Sequence, residues 1–271
     1  MTVAVFHRTT IRPLRSSRRA GASALAAHSG KVELAAIAAL YGLYEGVRGF
    51  GSASLASARA HTSDIVALEQ HVGVFVERPL QSAVAHLPLV PALLGFAYMS
   101  LHLTATAGML AWVHRAHRER FAVVRTTLVI ATAVSLAIYV LYPAAPPRLS
   151  GLGFADTVTR SAHVNLSSDA LGSLYNPFAA VPSLHFGYAL LVGAAVYALA
   201  GRRWVRLLGA AYPAFMLFTI VATGNHFFFD AAAGGLVVVL SYFVARALLA
   251  APAQPAPARR RRARIGILAH S

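Results

Sequence analysis

The stretch NPFAAVPSLHFGYAL, residues 176–190, decides how this chain folds: a Pro-Ser pair and a histidine stand at the head of a long apolar run. Ser183 suits the position just before a helix, where its hydroxyl accepts a backbone N–H that the first turn leaves open. From 182 to 200 the run carries no Asp, Glu, Lys or Arg. A helix needs about 20 mainly apolar residues to cross the hydrocarbon core of a bilayer. Segments 32–50, 88–113, 121–142, 204–223 and 227–250 fit that requirement as well as 182–200 does. The sequence therefore predicts an all-α, polytopic membrane protein with a bundle of six transmembrane helices.

Composition agrees. Of 271 residues, 57% are hydrophobic and 12% charged, against about 25% charged in soluble domains. There is no cysteine, which excludes disulfides and thiolate chemistry. The formal charge of +15 raises the question of nucleic acid, and the placement of the basic residues answers it. If six helices cross alternately, 19 of the 24 Lys and Arg fall on one side, in 1–31, 115–125, 202–206 and from Arg246 into the tail. Arg48, Arg59, Arg78, Arg148 and Arg160 fall on the other. The positive-inside rule then places both termini in the cytoplasm and both long connections, 51–87 and 143–181, outside. The expected location is the cell membrane, the expected partner the bilayer, and nucleic acid is not expected. Residues 1–30 read as a basic cytoplasmic segment without a cleavable signal, 31–250 as the membrane domain, and 251–271, APAQPAPARRRRAR onward, as a disordered basic tail. Residues 51–87 read as an interfacial helix or pair of helices after the first span.

Polar residues at membrane ends mark function by default, and several converge on the outer side. Arg148 follows the third span in YPAAPPRL, His185 opens the fourth, and His226 and Asp230 open the sixth in TGNHFFFD; Glu45 and Arg48 end the first. His226 and Asp230, four apart, share one helix face. A carboxylate on one ring nitrogen leaves the other as base or nucleophile. Asn225 and Ser183 are expected to cap the two histidine-bearing helices, whose N-termini would form an anion site with Arg148. The pattern suggests phosphoryl transfer through histidine. Simpler readings stand beside it: a chance His–Asp pair, a snorkelling Arg148, and a Glu45–Arg48 pair within one helix turn. Phe227, Phe228 and Phe229 read either as an interfacial belt or as a wall for a lipid chain. His102 lies mid-span and reads as hydrogen-bonded within the bundle. The outer carboxylates Asp64, Glu69, Glu77, Asp156 and Asp169 are scattered without metal-ligand spacing.

YPAAPPR, NPFAAVPSLHFGYAL and ATGNHFFFDAAAGG resemble the three blocks of the type 2 phosphatidic acid phosphatase superfamily. They are most similar to the branch of aureobasidin-resistance-type inositol phosphorylceramide synthases, which LYEGVRGF and ALEQHVGVFVERPLQ also resemble. The resemblance implies a six-helix membrane core and metal-independent transfer through a phosphohistidine, with no cofactor. It implies His226 as nucleophile, Asp230 as its orienting partner, His185 as general acid and Arg148 as phosphate ligand, with Ser183, Asn225 and Arg48 as further phosphate-binding candidates. The chain departs from the superfamily pattern in three ways. PSLH replaces PSGH, Ile220 stands where the third block has arginine, and the first-block lysine is missing; Arg48, or else Arg160, is the expected substitute cation. The implied substrate is a lipid phosphate. The acceptor is inositol, a sugar or a lipid alcohol, or else water acting on a phosphatidate or prenyl diphosphate. A haem-binding or non-enzymatic membrane protein is the other class of reading for a chain with 12 histidines.

Overall fold

The computed structural model describes residues 42, 54–162 and 176–250. Residues 32–41 and 43–50 of the first expected span, the N-terminal segment and the tail lie outside the described residues. Among the described residues eight helices follow in order: α1 (Leu55–His71), α2 (Glu77–Ala85), α3 (Val90–Ala116), α4 (Arg118–Leu141), α5 (Thr157–Ala162), α6 (Leu184–Leu199), α7 (Arg203–Ala222) and α8 (Phe228–Leu249). Helices α3, α4, α7 and α8 are long and apolar enough to cross a membrane, and the chain is an integral membrane protein. Helix α6 is apolar but has 16 residues, about 24 Å at 1.5 Å per residue. The described part of the expected segment 51–87, from residue 54, holds a pair of helices, α1 and α2, joined by a turn at Gly73 with φ 75°. Among the described residues the only β pairing is a single bridge between Ala144 and Ala179.

Helix α6 sits at the centre, packed against α7 on one side and α8 on another, with α4 closing the far side of α8. Glycines make this closeness possible. A Cβ on Gly193 of α6 would come 2.5 Å from the Gly209 carbonyl of α7, and a Cβ on Gly234 of α8 would overlap the Ser183 carbonyl. Small residues at helix contacts are how membrane helices gain packing without a hydrophobic drive between them. The close approach of α6 and α8 is sealed by a backbone bond, Ser183 N–H to the Asp230 carbonyl at 2.8 Å.

The loops between helices are tied as firmly. Ala144 N–H donates to Phe178 O and Ala180 N–H to Ala144 O, which joins the turn after α4 to the turn before α6. Thr62 of α1 donates to the Ala145 carbonyl and accepts its N–H, at 2.8 and 2.9 Å. His61 stacks on Tyr142, ring centroids 4.2 Å apart. Phe227 is fully buried beneath this layer, against Phe75 and Phe154. This corrects both readings for Phe227, which is core beneath α1 and the Phe75 and Phe154 rings; Phe228 and Phe229 are half-buried.

Gly108, also in a span, has nothing within 4 Å of its would-be Cβ. We expect Gly234→Ala to lower the thermal midpoint in detergent, by overpacking worth about 1–3 kcal/mol. Gly108→Ala is expected to leave it unchanged or raise it, since alanine favours the helix by up to about 1 kcal/mol. Equal midpoints for the two variants would show that the α6–α8 approach does not limit stability.

Candidate active site

Three loops and three helix ends meet over a cavity of about 240 Å³, lined by Tyr98, His102, Tyr139, His185, Asn225 and His226 among others. His226 is buried, with Nδ1 donating to Asp230 Oδ2 at 3.2 Å. The same carboxylate oxygen accepts the Phe227 N–H at 2.9 Å. A ring held this way carries its proton on Nδ1 and keeps a lone pair on Nε2. The His185 and His226 rings face each other with centroids 5.5 Å apart, so the structure brings together the two histidines that the sequence placed 41 positions apart.

Arg148 stands in the short turn Pro147–Leu149. Its backbone N–H donates to Gly224 O at 3.0 Å and its Nε to Asn225 Oδ1 at 3.0 Å. Asn225 also donates from Nδ2 to Thr223 Oγ1 at 2.9 Å. The guanidinium is thereby held beside a cavity-lining side chain. Asn225 is thus an arginine holder, correcting its expected role as a helix cap: it lies two residues ahead of Phe227, the residue at the cap position of α8. Ser183 does cap α6, its Oγ accepting the Phe186 N–H at 3.4 Å, and it is fully buried.

Ile220 is buried in the apolar cluster with Tyr98, Ala189 and Met216, so no cation stands at that position. Arg48 lies outside the described residues. Arg160 lines a separate cavity of about 140 Å³ with Gln81, Ala155, Thr157 and Ala222, away from the histidines.

The N-terminus of α8 differs from expectation. Its first backbone N–H groups are taken by acidic side chains: Phe227 by Asp230, Phe228 by Glu77 at 3.1 Å and Phe229 by Glu69 at 2.6 Å. Glu69 and Glu77 are buried and arrive from α1 and α2, so these two outer carboxylates are not scattered. The positive end of α8 is therefore already neutralised, and it is not an open anion site. Burial, reinforced by the hydrogen bond to Glu77, pushes the Glu69 carboxyl up to about 9. Glu69 Oε2 and Glu77 Oε2 are buried without another donor, and a proton held by Glu69 satisfies both.

Sequence reasoning missed these glutamates and the part played by His102 and Tyr98. The Tyr98 and His185 rings stack at 4.2 Å, and the His102 ring lies 4.0 Å from His185. The available signal was the i, i+4 spacing of Tyr98 and His102 within one span.

The PAP2 superfamily profile matches residues 63–244, which runs from within α1 through most of α8 and covers every side chain just described. The chain belongs to the PAP2 superfamily. Membership carries the general chemistry of that superfamily, phosphatase or phosphotransferase action on lipid phosphates in a membrane. No curated protein and no solved structure matches the chain.

Folded Glu69 keeps its proton between pH 4.5 and about 9, where an unfolded carboxyl has lost it. Its contribution to stability is therefore complete below pH 4.5 and disappears as pH rises through about 9. The thermal midpoint is expected to fall across that window. Glu69→Gln, which keeps an oxygen for Phe229 N–H and supplies a permanent donor to Glu77, is expected to flatten the dependence. An unchanged slope in the variant would assign the proton elsewhere.

Proposed function

We propose that the chain is a six-span lipid-phosphate phosphotransferase working through a phosphohistidine, of the inositolphosphotransferase-like kind. The observation that carries this reading is the His226–Asp230 bond at 3.2 Å with His185 facing the same cavity. In the first step His226 Nε2 attacks phosphorus, the P–O bond to the lipid breaks, and His185 gives its proton to the leaving oxygen. In the second an acceptor hydroxyl attacks the phosphohistidine, the P–N pair returns to His226, and His185 takes up the hydroxyl's proton. Asp230 holds the tautomer and offsets the imidazolium charge.

Arg148, locked by Asn225, offsets charge on the phosphoryl oxygens, and the α6 N-terminus capped by Ser183 adds its dipole. Arg48, at the outer end of the first span, is the proposed second cation. The acceptor is inositol, a sugar or a lipid alcohol, and water makes the same site a phosphatase on phosphatidate or prenyl diphosphate. The reaction needs no metal or cofactor on this reading. The catalytic unit is residues 31–250 in the cell membrane. The distribution of arginine supports cytoplasmic termini and an extracytoplasmic site.

The test is phosphate release and transfer from phosphatidate and farnesyl diphosphate micelles in EDTA, with and without myo-inositol. His226→Ala is expected to abolish turnover, and His185→Ala to lower it by about 10²–10⁴-fold. Asp230→Asn is expected to lower kcat, and Arg148→Lys and Arg48→Gln to raise KM. Turnover that survives His226→Ala would sink the phosphohistidine. Dependence on added metal would sink the two-imidazole chemistry.

A further inference from the structure

His102 is left unused by that reaction, yet it is built into the cavity with care. Helix α3 is interrupted by a π-turn at Ala97–Leu101, immediately before His102. Such one-turn bulges in α-helices often lie at functional sites. Here the bulge puts Tyr98 and His102 together against His185. His102 Nδ1 is 3.1 Å from the Tyr98 carbonyl. A carbonyl only accepts, so Nδ1 carries the proton and Nε2 carries a lone pair. Nε2 has no hydrogen-bond partner among the described residues, and His102 lines the cavity. Two hydroxyls in the same wall are already engaged: Tyr139 donates to the Pro182 carbonyl at 2.8 Å, and Tyr188 pairs with Thr132 at 2.6 Å.

An acceptor nitrogen selects its ligand. Phosphate oxygens at neutral pH are acceptors too, and they would face the Nε2 lone pair with nothing shared. A protonated His102 would instead set a positive charge against the His185 ring, which must itself take up a proton in the second step. Nε2 therefore suits an O–H donor. The acceptor's reacting hydroxyl cannot fill that need, because its one proton goes to His185 in the second step. A second O–H on the same acceptor can.

Resting on the phosphotransfer reading above, we infer that His102 is a specificity-determining residue that binds a second hydroxyl of the acceptor. The site thereby favours acceptors with two adjacent O–H donors, a polyol, over a simple alcohol or water. As the acceptor oxygen forms its bond to phosphorus and the P–N bond to His226 breaks, the neighbouring O–H stays on His102 and only the reacting proton moves to His185.

Partitioning of the phosphohistidine tests this directly. The full-length protein in detergent would be given radiolabelled phosphatidate with equal molar glycerol and ethanol. Glycerol phosphate, ethyl phosphate and inorganic phosphate would then be counted. The ratios depend only on the second step and do not change with how much of a variant folds. Wild type is expected to favour glycerol over ethanol by about tenfold, the worth of one hydrogen bond to a buried acceptor. His102→Ala is expected to bring the ratio down to about the number of hydroxyls on each alcohol. His102→Gln, whose side-chain oxygen also accepts, is expected to retain part of the preference. A ratio that His102→Ala leaves unchanged, or a wild type that yields inorganic phosphate alone, overturns the inference and leaves the phosphohistidine reading standing. A wild type without turnover dependent on His226 overturns the reading beneath it as well.

Discussion

Asp230 is the residue on which the rest of the site depends. Its side chain receives both the His226 ring and the Phe227 N–H, while its own carbonyl receives the Ser183 N–H. One residue thus sets the tautomer of one histidine, starts α8, and holds the head of α6, which carries the other histidine. The approach needs two backbones in contact, and Gly234 is what allows it, since any side chain there would meet the Ser183 carbonyl. Placing two imidazoles to within a fraction of an ångström takes rigid elements and locked partners. In this fold the locking is done by backbone hydrogen bonds, because an apolar bundle supplies little directional force of its own.

The outer helices extend the same logic. A helix beginning inside a protein leaves its first N–H groups without water, and each such group costs energy if unpaired. Helix α8 begins under α1 and α2, and Glu69 and Glu77 supply the acceptors from those helices. The carboxylates hold the outer layer to the floor of the site, and they also remove the dipole that would otherwise draw an anion to α8. Positive potential for a phosphate is left to Arg148 and the head of α6. Burial disfavours the charged form of Glu69, and the neighbouring Glu77 carboxyl adds to that, which is why Glu69 keeps its proton.

The first and third sequence blocks meet through Arg148, whose backbone and side chain both bond the Gly224–Asn225 turn. The first and second meet through the Ala144–Ala179 bridge. A short, stiff Pro-Pro-Arg turn suits this role, since proline leaves few backbone alternatives. Loops at the ends of membrane helices here behave as a single bonded plate, and the cavity opens between that plate and the π-turn of α3.

The sequence by itself determined the helical class, the positions of the five apolar helices α3, α4, α6, α7 and α8, and the candidate residues His185, His226, Asp230 and Arg148. Each of these is legible locally: apolar length sets a span, a Pro-Ser pair sets a helix start, and four-residue spacing sets a shared face. Other features followed from contacts between segments far apart in the chain, which no local period encodes. Asn225 turned to Arg148 because Arg148 arrives 77 positions earlier in the chain. Glu69 and Glu77 reached α8 across 160 and 151 positions. His102 joined His185 because a π-turn rotated it inward. Tertiary structure alone decided these partners, because a buried polar group takes the nearest donor or acceptor in space, and nearness in space is set by packing.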